Sequence, residues 1–314
     1  MAFTAKDVKD LREKTGCGMM DCKKALAASD GDMDKAVEFL REKGLAAVAK
    51  KASRIAAEGL VVAAIEGNVG AVLEVNAETD FVAKNETFVE MCNNIAATII
   101  KENPADVEAL MAMHCANTDM TVEEVVRDRI QVIGENMKVR RFVRMEGNLV
   151  SYVHAGGKIG VLVNFDTDVA DKPEFKAVAH DVAMQIAFSN PTYLCKEEVP
   201  ADVVEKEKEI ILAQMDNDPK MANKPEKVKA GIVMGKLGNF YKDVCLKEQP
   251  FVKDEKVSVQ AYLDAQAKAM GGKIVLSAYA RLEKGEGLEK REDNFADEVA
   301  SMRSEERRVG KECR

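Results

Sequence analysis

The sequence predicts an α+β protein: a small N-terminal bundle of three helices, a core of duplicated hairpin-plus-helix units with antiparallel sheets, a projecting helical hairpin and a C-terminal helix. Three patterns carry that reading. Apolar residues recur at helical spacing through the first fifty positions. Two hydrophobic runs separated by a glycine-containing turn stand at 60–75 and again at 146–163, each followed by a helical segment. Long polar segments with narrow apolar seams fill the stretch between Pro191 and Leu237.

The N-terminal unit opens with Thr4 and Asp7 spaced as a capping box, with Phe3 and Val8 at the staple positions around it. Val8 and Leu11 form the inner face of the first helix, and Gly16 ends it. A second helix from about Met19 carries Cys22 and Leu26 on one face. A third follows Asp32, with Met33, Val37 and Leu40 at helical spacing and Gly44 placed as its C-terminal cap. So small a bundle holds too little core to be very stable alone. Residues 45–55, rich in Ala and Lys, read as a short connecting helix.

The period then changes. Leu60–Ile65 and Val69–Val75 read as strands joined by a turn at Glu66-Gly67-Asn68. Helices are expected at about 85–101, around 107–113 and around 122–133, with Pro104 as punctuation. Residues 146–154 and 158–163 repeat the hairpin across Ala155-Gly156-Gly157, and a helix follows at about 173–188. Glu58-Gly59 opens the first hairpin as Glu146-Gly147 opens the second, and Phe88 with Ile95-Ala96 matches Phe175 with Ile186-Ala187. A single hairpin is marginal in water, so two such units placed together can share a core.

Asn190-Pro191 breaks that helix. Two long polar helices follow at roughly 201–216 and 225–237. Val204, Ile211 and Met215 form a seam on the first, and Val228, Ile232 and Leu237 on the second. Such seams need a partner helix, from the hairpin itself or from a second subunit. A helix near 259–270, a strand at 273–282 and a C-terminal helix with Phe295, Val299 and Met302 on one face complete the reading. The tail at 303–314 breaks the composition and is expected to be disordered and foreign to the fold.

Composition narrows the function classes. The 314 residues are 46% hydrophobic and 32% charged, which is globular rather than disordered. A formal net charge of -8 gains nothing from counterion release, so no direct nucleic-acid partner is expected. No run of apolar residues is long enough for a membrane helix, and the N-terminus lacks the apolar region of a secretory signal. Seven scattered cysteines, never spaced C-x-x-C, read as reduced thiols in a cytoplasmic protein.

No catalytic residues are expected. His114, His154 and His180 are not at metal-ligand spacing and read as structural. No phosphate-binding glycine loop and no nucleophile elbow occurs, so no nucleotide cofactor is expected. Glu205, Glu207 and Glu209 read as a solvated helix face rather than an acid–base pair. Cys17 with Cys22 has no further ligands to complete a metal site.

One segment stands apart: Glu74-Val75-Asn76-Ala77-Glu78-Thr79-Asp80-Phe81-Val82-Ala83-Lys84-Asn85. It follows a strand directly and sets a carboxylate beside a large aromatic. In one reading Thr79 or Asp80 caps a helix and Phe81 plugs the core. In the other, Asp80 and Phe81 project outward as a wedge, and an exposed aromatic is the kind of anchor that dominates interfaces.

Leu11-Arg12-Glu13-Lys14-Thr15-Gly16-Cys17-Gly18-Met19-Met20-Asp21-Cys22-Lys23-Lys24-Ala25-Leu26 resembles the N-terminal signature of the bacterial elongation factor Ts family, and Glu74–Lys84 resembles its second signature. His154 with Ile159-Gly160-Val161-Leu162-Val163, and Gln249-Pro250-Phe251-Val252, extend the similarity over about residues 1–302. Ala77 stands where the family often has a different small residue. The resemblance implies a ubiquitin-associated-like bundle at 1–54 that docks on a GTPase, core subdomain one at 55–145, and core subdomain two at 146–189 and 238–284. It also implies a coiled-coil-like dimerisation hairpin at 190–237 and a C-terminal helical module at 285–302. The implied partner is elongation factor Tu, GDP-bound or nucleotide-free. Thr79, Asp80, Phe81 and Val82 would dislodge that partner's Mg²⁺, and Leu11, Arg12, Thr15, Gly16, Lys23, Lys24 and His154 would bind it. Two rival readings stand beside exchange: a scaffold or chaperone-like adaptor that binds without promoting exchange, and a thiol- or carboxylate-based hydrolase, against which the missing motifs count.

Overall fold

A computed structural model describes residues 3–15, 17–222 and 224–289. Gly16, the expected C-terminal helix and the 303–314 tail lie outside the described residues. Helices and antiparallel sheets alternate as an α+β fold.

The N-terminal helices are α1 (Ala5–Thr15), α2 (Met19–Ala28) and α3 (Met33–Lys51). The Thr4 N–H donates to the Asp7 carboxylate at 2.6 Å, and the Asp7 N–H returns to the Thr4 hydroxyl at 3.3 Å, which closes the expected capping box. Val8, Leu11, Cys22, Leu26 and Leu40 meet in a small core, with Phe3 packed on its edge. Gly44 is not a cap. The third helix runs through it to Lys51 and absorbs the connecting helix expected at 45–55. A mid-helix glycine costs only about 1 kcal/mol relative to Ala. Here it lets α3 approach the Gln131 side chain closely, since a Cβ at Gly44 would lie 2.3 Å from Gln131 Oε1 and that side chain would have to shift.

Strands β1 (Glu58–Glu66) and β2 (Val69–Ala77) form the first hairpin, with Glu66 opposite Val69 and Gly67 turning at φ +62°. Helices α4 (Asp80–Ala83), α5 (Glu86–Glu102), α6 (Val107–Ala112) and α7 (Val122–Ile133) follow. The chain then returns as β3 (Met137–Glu146), antiparallel to β2. The sequence reading missed this strand for a physical reason. Glu74 pairs with Arg141 but Val75 pairs with Val139, so Arg140 is an extra residue that shifts the alternation midway.

The second sheet is built the same way. Strands β4 (Asn148–His154) and β5 (Ile159–Thr167) are followed by α8 (Pro173–Ser189), α9 (Ala201–Asp216), α10 (Pro219–Ala222) and α11 (Glu226–Val244). A short ribbon of β6 (Pro250–Phe251) and β7 (Asp254–Ser258), then α12 (Val259–Met270), leads to β8 (Ile274–Glu283). The sheet orders are β1-β2-β3 and β4-β5-β8, and β8 carries its own bulge at Ser277, between Leu276 and Ala278.

The layers follow from burial. Phe88, Met91, Ile95 and Ile99 of α5 cover one face of the first sheet, against Leu60, Val62 and Leu73. Phe175, Val178, Val182 and Ile186 of α8 cover one face of the second, against Val161, Val163 and Phe165. The remaining faces meet back to back through Val61, Val72, Leu162 and Leu282. Strands buried on both sides explain why β1, β2 and β5 read as continuous apolar runs.

Helices α9 and α11 form the expected hairpin, which closes on itself through Ile211, Met215 and Val233. Two details differ from expectation. Helix α11 extends to Val244, and Val233 takes the inward place expected of Val228, which is 45% exposed, while Leu237 is buried and Ile232 packs on the hairpin core as expected. Among the described residues, no helix is long and apolar enough to cross a membrane.

Candidate partner-contact site

The segment that leaves β2 turns at Thr79 into the single turn of α4. Four residues cannot make a helix stable by themselves. The surrounding structure imposes it. Val82 is only 4% exposed and belongs to the core beneath the first sheet. The Asn85 side chain caps the next helix by accepting from Thr87 N at 2.9 Å. On the other side, the Glu135 carboxylate accepts the Thr79 N–H at 3.0 Å and the Thr79 hydroxyl at 2.8 Å.

With the turn held in this way, Phe81 points out and is 77% exposed. Val82, not Phe81, is the core plug. Thr79 occupies the N-cap position without a side-chain cap bond, because its hydroxyl is engaged by Glu135. Asp80 is exposed and pairs with Lys84 at 3.2 Å, and the Lys84 ammonium lies 5.9 Å from the Phe81 ring centroid. Both contacts are solvent-facing and weak, so Asp80 and Phe81 stay available to a partner.

The same strand carries a buried charge. Glu74 on β2 is 0% exposed. Its carboxylate accepts from Arg141 Nε at 2.6 Å, Arg140 at 2.9 Å, Asn76 at 3.1 Å and the Gly285 N–H at 2.8 Å. Burial pushes this carboxyl up, but the Gly285 N–H and the Arg141, Asn76 and Arg140 side chains outweigh it and hold it below the usual carboxylate range.

The other site residues fall into two groups. Arg12, Lys23 and Lys24 are exposed on the bundle, and Thr15 is half-buried with its hydroxyl donating to the Leu11 carbonyl at 2.7 Å. Leu11 is 0% exposed, so it holds the bundle together and offers no surface to a partner. His154 is exposed at the end of β4, with Nδ1 2.9 Å from the Tyr152 hydroxyl. Its turn sits against β1: the Val61 N–H donates to the Gly157 carbonyl at 2.8 Å, and a Cβ on Gly157 would collide with Leu60. Leu60 pairs with Val75 near the end of β2 from which the tip departs, so His154 and Phe81 share one end of the first hairpin.

His114 and His180 are exposed too, so neither is a core histidine. Cys17 and Cys22 are buried and make separate hydrogen bonds, with Cys22 Sγ donating to the Cys17 carbonyl at 3.7 Å. Among the described residues, no group of three or more His, Cys, Asp or Glu is placed to hold a metal. Sequence reasoning missed Glu135 and Asn136. They lie in a Gly-Glu-Asn turn after α7, and nothing local signals that they reach back to 78–79.

The structure places an exposed aromatic, Phe81, on a buttressed turn of a layered core, and a helical bundle on the same chain exposes Arg12, Lys23 and Lys24. Comparison with known proteins makes this specific. The family described as elongation factor TS matches residues 78–286, which include the tip. Elongation factor Ts of Trichlorobacter lovleyi is 48% identical over 310 residues, covering 96% of this chain and 98% of that protein. Elongation factor Ts of Syntrophotalea carbinolica is 48% identical over 305 residues, covering 96% and 99%. The chain belongs to the elongation factor Ts family, whose members are nucleotide exchange factors of translation and not enzymes with an active site of their own.

Proposed function

We propose that this protein promotes GDP release from elongation factor Tu in the cytoplasm, through the Thr79–Val82 tip. The observation that supports this most is Phe81. Leaving a Phe side chain in water forgoes about 1.5–3 kcal/mol of burial. Here that exposed ring stands on a turn held by Val82 and Glu135. A ring fixed in place and left in water suits insertion into a partner's apolar pocket.

A GTPase holds its nucleotide through a phosphate loop and a Mg²⁺ that neutralises phosphate charge. In this reading Phe81 wedges beside that site and Asp80 perturbs the groups around the metal. The metal is dislodged, the phosphate contacts loosen and GDP leaves. Thr79 and Val82 orient the pair from behind. Arg12, Thr15, Gly16, Lys23 and Lys24 of the 1–54 bundle, of ubiquitin-associated type, grip the partner; Leu11 supports them from inside; and His154 adds a contact beside the tip. The duplicated core at 55–145, 146–189 and 238–284 is the frame, and the 285–302 module adds a further contact. The factor binds the GDP-bound and nucleotide-free partner. By linkage, nucleotide lowers affinity for the factor by the same ratio, so exchange is accelerated in both directions. The 190–237 hairpin is read as a coiled-coil-like dimerisation element.

The test is GDP release from elongation factor Tu with wild type and with Asp80→Ala/Phe81→Ala. The double variant should bind but lose most of the acceleration. Unchanged acceleration would remove the wedge. Binding by wild type with no change in the GDP off-rate would favour a scaffold instead.

A further inference from the structure

The clasp behind the tip assigns a role to a residue that neither of the two signatures contains. Helix α7 ends at Gly134, which takes φ +91° as its left-handed cap. That reversal aims the next two residues back at the exit of β2. Both oxygens of the half-buried Glu135 carboxylate are occupied by Thr79, one by its N–H and one by its hydroxyl. The Asn136 N–H donates to the Glu78 carboxylate at 2.6 Å, and its side-chain amide donates to the Arg54 carbonyl at 2.9 Å. Residues 78–79 are therefore clasped from one side by 135–136. The same α7 reaches the N-terminal bundle, where the Gln131 amide donates to the Leu40 carbonyl at 3.1 Å.

We propose that Glu135 is a positioning residue for nucleotide exchange: by holding both donors of Thr79, it fixes the direction in which Phe81 leaves the core. This rests on the wedge reading of Phe81. Thr79 is the hinge between β2 and α4, and the turn after it has no stability of its own. Without the carboxylate, water satisfies Thr79 and the tip samples many orientations. Only a fraction of those presents Phe81 correctly, and the exchange rate falls with that fraction. The bundle and the His154 turn still hold the partner. The loss therefore appears in GDP release at saturating factor, and little in the concentration needed to reach saturation.

The experiment is a double-mutant cycle on the full chain, reading release of a fluorescent GDP from elongation factor Tu over a range of factor concentrations. Glu135→Ala should lower the saturating rate about tenfold, as loss of a paired charge-assisted hydrogen bond does. The half-saturating concentration should stay within about twofold of wild type. In a Phe81→Ala background, Glu135→Ala should cost nothing further, because no ring remains to be aimed. Thr79→Val, which removes only the hydroxyl bond, should reduce the rate less. It also serves as the second arm of the cycle if Glu135→Ala does not fold. An unchanged saturating rate in Glu135→Ala and Thr79→Val overturns the proposal. So does an equal fold-loss with and without Phe81, which marks a merely structural role. A slow Phe81→Ala with a normal Glu135→Ala defeats only the positioning role, whereas a normal Phe81→Ala defeats the wedge and this role together.

Discussion

Glu74 shows at the scale of one residue how this fold tolerates a buried charge. Taking a carboxylate out of water is costly unless its lone pairs are filled, and here two guanidiniums, an amide and a backbone N–H fill them. Because its folded value lies below its unfolded value, the stabilisation is fully present above the ordinary carboxylate range and is lost as pH falls through the folded value. Glu74→Gln should cost about 1–3 kcal/mol at neutral pH, where Arg140 loses its carboxylate partner while Arg141 keeps Glu286. Denaturant unfolding of wild type and variant should show that gap closing as pH falls below the ordinary carboxylate range. A gap that does not change with pH would show that the charge is not what the site uses. The tip was only half legible at this scale. The sequence singled out Thr79–Val82 but left open whether Phe81 faced in or out. A single helical turn is too short for periodicity to decide, and the residues that decide it, Val82 below and Glu135 beside, act through packing and a distant carboxylate.

At the scale of elements, helices were easier to read than their junctions. Helices α5, α7, α8, α9 and α12 lie close to where their caps and apolar spacing put them. Gly44 was misread because glycine signals both a helix end and a close approach, and only the crossing with Gln131 reveals the second use. Strand β3 was missed because the bulge at Arg140 changes its phase. The α9–α11 hairpin raises the remaining question at this scale. Its inner seam is filled, yet Ile210, Leu212, Val228 and Met234 remain exposed. If these cover a second copy, sedimentation of the protein alone should show a dimer, and Val228→Lys with Met234→Lys should give a monomer that still promotes exchange. A wild type that stays monomeric at high concentration would leave the hairpin without that role.

At the scale of the molecule, the back-to-back sheets explain how a small tip can act on another protein. Val61, Val72, Leu162 and Leu282 lock one sheet to the other, and α5 and α8 seal the outer faces. Val82 and the Glu135 clasp tie the tip to that frame, so a force on Phe81 is passed to the core when both are in place. The most direct test replaces Phe81 with a photoreactive benzoyl-phenylalanine and irradiates the protein with nucleotide-free elongation factor Tu. Cross-links should map to partner peptides that line the Mg²⁺ and phosphate site. Cross-links confined to a remote surface of the partner, or to this chain itself, would contradict the account.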